Sequence, residues 1–153
     1  PVVTFFFLTA GARRRSSLEY LRRVYANPKG RSSLGRFPGL DMVNVYGVEV
    51  EGQDGRAGMA GIALANPGSF DSAQFFAHVQ QSLPAYAAPV FLRLLGDADV
   101  TGTFKLRKVD LQREGFDPAA VTDPLYVRDD AKSDYVQLTP ELPRAIQSGS
   151  MRV

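Results

Sequence analysis

An α+β domain, with a small central antiparallel or mixed sheet flanked by helices, is the fold class this sequence predicts, and three neighbouring patterns predict it. Met42–Val50 is rich in β-formers and leads through Gly52-Gln53-Asp54-Gly55 into a second apolar run, Arg56–Leu64, as a hairpin requires. Behind a capping aspartate, Phe75, Val79 and Leu83 recur every four residues, which marks a helix with one buried stripe. Val90–Leu95 then runs as a third strand. The length of 153 residues suits one domain with a modest core. An apolar content of 44% and a charged content of 22% are ordinary for a globular chain.

The chain opens on Pro1–Leu8, an apolar run far shorter than the roughly 20 residues of a membrane-spanning helix. Arg13-Arg14-Arg15 follows that run, whereas a secretory signal places its positive charge first, so no targeting signal is read. The missing initiator Met is what a processed or excised piece would show. Leu18, Leu21, Val24 and Tyr25 fit a short amphipathic helix between Ser16 and Ala26, and Asn27-Pro28-Lys29-Gly30 breaks it. Residues 1–36 carry eight basic groups against one acid, Glu19, while the other 117 residues hold ten basic and fifteen acidic groups. We therefore divide the chain into a basic extension, 1–40, expected to be loosely ordered, and a domain, 41–153. A basic arm can bind anionic lipid or nucleic acid, but no aromatic residue is interleaved with the basic loop as a stacking platform would need.

Within the domain, Asp71 is placed to cap the helix with Gln74 three residues on, and Phe70 and Phe75 occupy staple positions on either side. His78 lies beside the buried stripe and reads as a packed histidine. Pro84 and Pro89 bracket a turn into the third strand. A short helix is expected over Arg107–Glu114, stopped by Gly115. Residues 117–138 read as a long polar stretch anchored by Tyr126 and by Tyr135–Leu138. Thr139-Pro140-Glu141 opens a terminal helix running to about Gln147.

The stretch with the most chemical character is Thr101-Gly102-Thr103-Phe104-Lys105-Leu106-Arg107-Lys108, a small-residue loop set before a lysine. Glycine lets backbone approach a ligand closely, and lysine is a compact charge able to reach a phosphate. A lysine beside a glycine turn is also a common surface group. Five segments in order give the loop its context: Val45-Tyr46-Gly47-Val48, Gly55-Arg56-Ala57-Gly58-Met59-Ala60, Leu83–Pro89, Thr101–Lys105 and Asp123-Pro124-Leu125-Tyr126-Val127. With these the chain from Val43 onward resembles the C-terminal domain of adenylate-forming acyl-CoA synthetases, in the fatty acid transport protein and very-long-chain acyl-CoA synthetase branch.

That resemblance implies the mobile lid of an ATP-dependent long-chain or very-long-chain fatty acid CoA ligase, with Lys105 as the catalytic lysine of acyl-adenylate formation. It implies cofactor contacts at Gly102 and Thr103 and a part of the surface used in thioester formation; Arg107 and Lys108 either contact the phosphates of coenzyme A or only keep the loop soluble, and Arg56 either approaches the nucleotide of coenzyme A or forms a structural salt bridge. ATP, coenzyme A and Mg2+ are implied for the complete enzyme, with none held tightly by this chain. The implied partners are the family's N-terminal adenylation domain and a fatty acid, with no nucleic acid, in the cytoplasm or peripherally on a membrane. The phosphate loop and fatty-acid tunnel belong to that N-terminal domain, so this chain alone is expected to be inactive. The family's hairpin motif of the Arg-Trp-Lys-Gly-Glu-Asn type is missing, and the sequence has no tryptophan. The rival reading is a non-catalytic relic or binding module that uses its basic arm. No cysteine is present and His78 is the sole histidine, which excludes disulfides and thiolate metal sites and leaves no metal site expected.

Overall fold

The computed structural model describes residues 33–50, 56–96 and 104–139. The expected terminal helix, the amphipathic segment at 16–26, Gly102 and Thr103 lie outside the described residues. The first two strands, β1 (Leu40–Glu49) and β2 (Arg56–Leu64), pair antiparallel from Leu40↔Leu64 to Glu49↔Arg56, with one register shift between Leu40 and Met42. A helix, α1 (Ser72–Ser82), crosses over to β3 (Phe91–Leu94), which runs parallel to β2. A parallel neighbour needs such a crossover because a tight turn can only reverse the chain.

The predicted staple and cap are both present on α1. Asp71 accepts a hydrogen bond from the Gln74 amide at 2.9 Å, and the Phe70 and Phe75 rings sit 5.8 Å apart. Phe75, Val79 and Leu83 are all buried, as their spacing requires.

A second helix, α2 (Phe104–Glu114), leads to β4 (Leu125–Asp129) and β5 (Asp134–Gln137), completing a five-stranded mixed sheet in the order β1-β2-β3-β4-β5. The fold is the α+β arrangement the sequence predicts. Two boundaries differ from expectation. The stretch expected to be polar and irregular contains the β4–β5 hairpin, whose strands are too short for alternation to stand out. α2 begins at Phe104 rather than Arg107, because Phe104, Lys105 and Leu106 contain no helix breaker. Its end is as expected: Gly115 takes the left-handed conformation, φ 65°, that glycine adopts without a steric penalty, and its amide returns to Leu111.

Strand alternation divides the core into two. Tyr46, Val48, Ala57, Met59, Phe91, Leu125 and Val127 face α2 and the segment after it, where Leu111, Phe116 and Val121 cover them. Ala60, Ile62, Leu64, Leu92 and Leu94 face α1, with Phe75, Phe76, Val79 and Tyr135. Leu34 and Phe37 also enter this second cluster, and Phe37 meets the Phe75 ring edge-on at 5.1 Å. His78 packs at 5.5 Å against Phe37.

Candidate functional site

Lys105 is the second residue of α2, and Arg107 and Lys108 follow within its first five positions. Their side chains lie outside the described set, as do Gly102 and Thr103 altogether. Three cations near a helix N-terminus stand against the macrodipole, at about 0.3–1 kcal/mol each where exposed. No acidic residue occupies that first turn. The positive pole of α2 and these three basic residues thus share one end of the helix.

The opposite end of α2 is tied to the sheet. Leu111 is buried, the Gln112 amide approaches the Gly47 carbonyl at 3.5 Å, and Glu114 accepts from Arg93 at 2.6 Å. Arg93 lies on β3 with its side chain only 5% exposed, and its Nε donates to Asp123 at 2.6 Å. Burial opposes the charge on this guanidinium, but hydrogen bonds to Glu114 and Asp123 outweigh that, and its pKa is raised. Just after the helix, Phe116 stacks on Phe91 with centroids 4.2 Å apart and planes inclined by 10°.

Tyr46 of β1 is buried, and its hydroxyl finds no hydrogen-bond partner among the described residues. Burial drives its pKa above the usual phenol range; the field of Arg93 opposes this, while Glu114 and Asp123 add to it.

Arg56 stands elsewhere. It opens β2 and pairs across the hairpin with Glu49 at 3.1 Å, both side chains being well exposed. The structure thus gathers Lys105, Arg107 and Lys108 on one half-helix and engages Arg56 in a hairpin ion pair. Sequence reasoning missed Arg93, Glu114 and Asp123. One signal was present, since Arg93 interrupts the apolar run Val90–Leu95, and a charge inside a buried strand demands a partner.

Among the described residues no helix is long and apolar enough to cross a membrane, and no group of three His, Asp or Glu side chains comes together as a metal site.

No family model matches the chain. Curated proteins do. The chain is 45% identical over 120 residues to long-chain fatty acid transport protein 6 of Mus musculus, covering 78% of this chain and 19% of the relative. It is 47% identical over 114 residues to long-chain fatty acid transport protein 3 of Homo sapiens, covering 74% and 17%. Long-chain fatty acid transport protein 2 of Rattus norvegicus is 41% identical over 114 residues, covering 74% and 18%. The chain spans less than a fifth of the length of these relatives.

Proposed function

We infer that this chain, a homologue of the long-chain fatty acid transport proteins over about three quarters of its length, is the C-terminal lid of a fatty acid–CoA ligase that uses ATP. The single observation that carries the reading is identity of 41–47% with a segment forming under a fifth of each of these proteins. On this reading the matched piece supplies part of a reaction centre, and the partner it needs is a nucleotide-binding domain formed by the rest of a longer protein.

In the first step a fatty carboxylate oxygen attacks the α-phosphorus of ATP, the bond to the β-phosphate oxygen breaks, and pyrophosphate leaves. Two anions must approach each other. Lys105, carried on the basic end of α2, brings an ammonium to the carboxylate and the α-phosphate oxygens and offsets their repulsion. Arg107 and Lys108 add positive charge on the same half-helix and suit the phosphates of coenzyme A. In the second step the thiol of coenzyme A loses its proton, sulfur attacks the acyl carbon, and the bond to AMP breaks. Mg2+ neutralises the nucleotide phosphates when bound, and this domain's described residues offer it no ligand cluster. The lid moves between the two steps and presents different faces.

The test is a chimera in which this chain replaces the matched segment of long-chain fatty acid transport protein 3 of Mus musculus. Acyl-adenylate formation is expected in the chimera, with a loss of about 10²–10³-fold for Lys105→Ala. An unchanged rate in Lys105→Ala overturns the role of this lysine. The 153-residue chain alone is expected to form no acyl-CoA, and turnover by it would overturn the lid reading.

A further inference from the structure

The geometry points to Arg93 as a positioning residue for Lys105, acting through Glu114 at the far end of the same helix. This rests on the lid reading above and concerns a part of the domain that never touches substrate.

Leu111, Gln112 and Glu114, which fasten α2 to the sheet, all lie in its last four residues. Val109, five residues before Glu114, is 64% exposed. Lys105 stands nine residues from Glu114. At 1.5 Å of rise per residue that is about 13 Å, so α2 is a lever tethered at one end with its working residue near the other. A tilt of about 10° at the tether displaces the Lys105 backbone by roughly 2 Å. Misplacement of even about 1 Å can cost on the order of 10²-fold when a reaction depends on a placed charge.

Two of the three tethers leave that tilt free. Leu111 packs without directional preference, and the Gln112 contact is long at 3.5 Å. The guanidinium of Arg93 is different because its planar fork has fixed directions. Its Nε is held by Asp123 and one Nη by Glu114, both at 2.6 Å. Asp123 precedes Pro124, whose carbonyl accepts from the Leu94 amide at 2.9 Å, so the fork is referenced to the sheet and not to a loose loop. Arg93 itself sits between Phe91 and Leu94 on β3, with the neighbouring pairs Gly61↔Arg93 and Arg93↔Leu125 locking its backbone. The angle of α2 to the sheet is thereby set by one buried arginine.

The experiment uses the chimera described above and reads the two half-reactions separately. Glu114→Gln keeps the side chain's shape, and Glu114 is 38% exposed, so the variant is expected to fold. Acyl-adenylate formation is expected to fall about tenfold or more in Glu114→Gln and in Arg93→Lys, while thioester formation from supplied acyl-adenylate stays within twofold. In a Lys105→Ala background, Glu114→Gln is expected to have no further effect on adenylation, because the helix angle matters only through that lysine. Tyr135→Phe, which removes a buried hydrogen bond on the other face of the sheet, serves as the control for loss of stability alone and is expected to leave both half-reactions within twofold.

Equal loss in both half-reactions, or a further loss in the Lys105→Ala background, would show Arg93 to be merely structural and overturn the inference. A severe Lys105→Ala defect with an unaffected Glu114→Gln overturns the positioning role and leaves the lid reading standing. No defect in Lys105→Ala overturns the positioning role together with the role of that lysine.

Discussion

The face of the sheet beneath α1 is held by a cluster of rings, whereas the face beneath α2 adds to its aliphatic packing one aromatic stack and a guanidinium shared between two carboxylates. Under α1, Phe75 lies within 6 Å of Phe37, Phe70 and Tyr135, and Phe76 packs on Tyr135. Even the charge on that side is turned to packing, since Arg128 stands 5.0 Å over the Phe76 ring while pairing with Asp130. Under α2 the Arg93 ion pairs stand beside an apolar cluster that includes Leu111, Phe116 and Val121. Rings resist displacement in every direction but define no single angle, and a fork of hydrogen bonds defines an angle at the cost of burying charge. A domain that only had to be stable could use the first kind of face on both sides. The second kind is found against the helix that bears Lys105.

The comparison breaks first at Phe75. Its ring is fully buried and touches three other aromatic side chains, so Phe75→Ala is expected to destabilise the domain by about 4 kcal/mol. Urea unfolding of the chain measures this, and a loss below about 1 kcal/mol would mean that the α1 face is not the main core.

Next comes Arg93→Met, which strands Asp123 and Glu114 without their cation. The expected loss is about 3 kcal/mol, at the low end for a broken buried pair because Glu114 is partly solvated. Asp123→Asn in the Arg93→Met background should recover part of it in a double-mutant cycle. Absence of coupling would mean that the two charges do not share the interaction seen here.

How these faces were visible beforehand follows from sequence separation. The hairpin, α1 and β3 were legible because each is written in local pattern, as in the four-residue recurrence of Phe75, Val79 and Leu83 or the cap at Asp71. β4 and β5 were hidden because four or five residues do not display a period, so Tyr126 and Tyr135–Leu138 read only as anchor points of a polar stretch. The Arg93 network joins residues 21 and 30 positions apart, and no local signal states that Asp123 is its partner. Lys105 was singled out by its loop and by resemblance. Its place on a helix with a tethered far end was not, because where a helix starts depends on which residues can propagate it and leaves no local mark of its own.

A pair of identical substitutions on opposite faces sharpens the contrast further. Tyr135 is buried under α1 with its hydroxyl donating to the Pro89 carbonyl at 2.7 Å. Tyr135→Phe leaves that carbonyl without its donor, and a loss of about 1 kcal/mol is expected in urea unfolding at neutral pH. No change would mean that the Pro89 carbonyl finds another donor at no cost.

Tyr46→Phe is the matching change under α2, and the smallest effect expected. Its hydroxyl is buried with no hydrogen-bond partner among the described residues, so removing it takes away a desolvated polar group and breaks no bond. Stability at pH 7 should be unchanged or higher by about 0.5 kcal/mol. The same phenol has its pKa raised, first by burial, above the ordinary value near 10. A raised folded-state pKa means that the unfolded chain releases its proton first, so the stability tied to Tyr46 is complete below about pH 10 and declines as pH climbs past it. Tyr46→Phe should therefore flatten the alkaline limb of a stability–pH curve while leaving the neutral region alone. Some slope will remain, because burial also raises the pKa of Tyr126. A neutral-pH loss matching that of Tyr135→Phe would mean that the Tyr46 hydroxyl is bonded, and the α2 face would then carry a second polar tie beside Arg93.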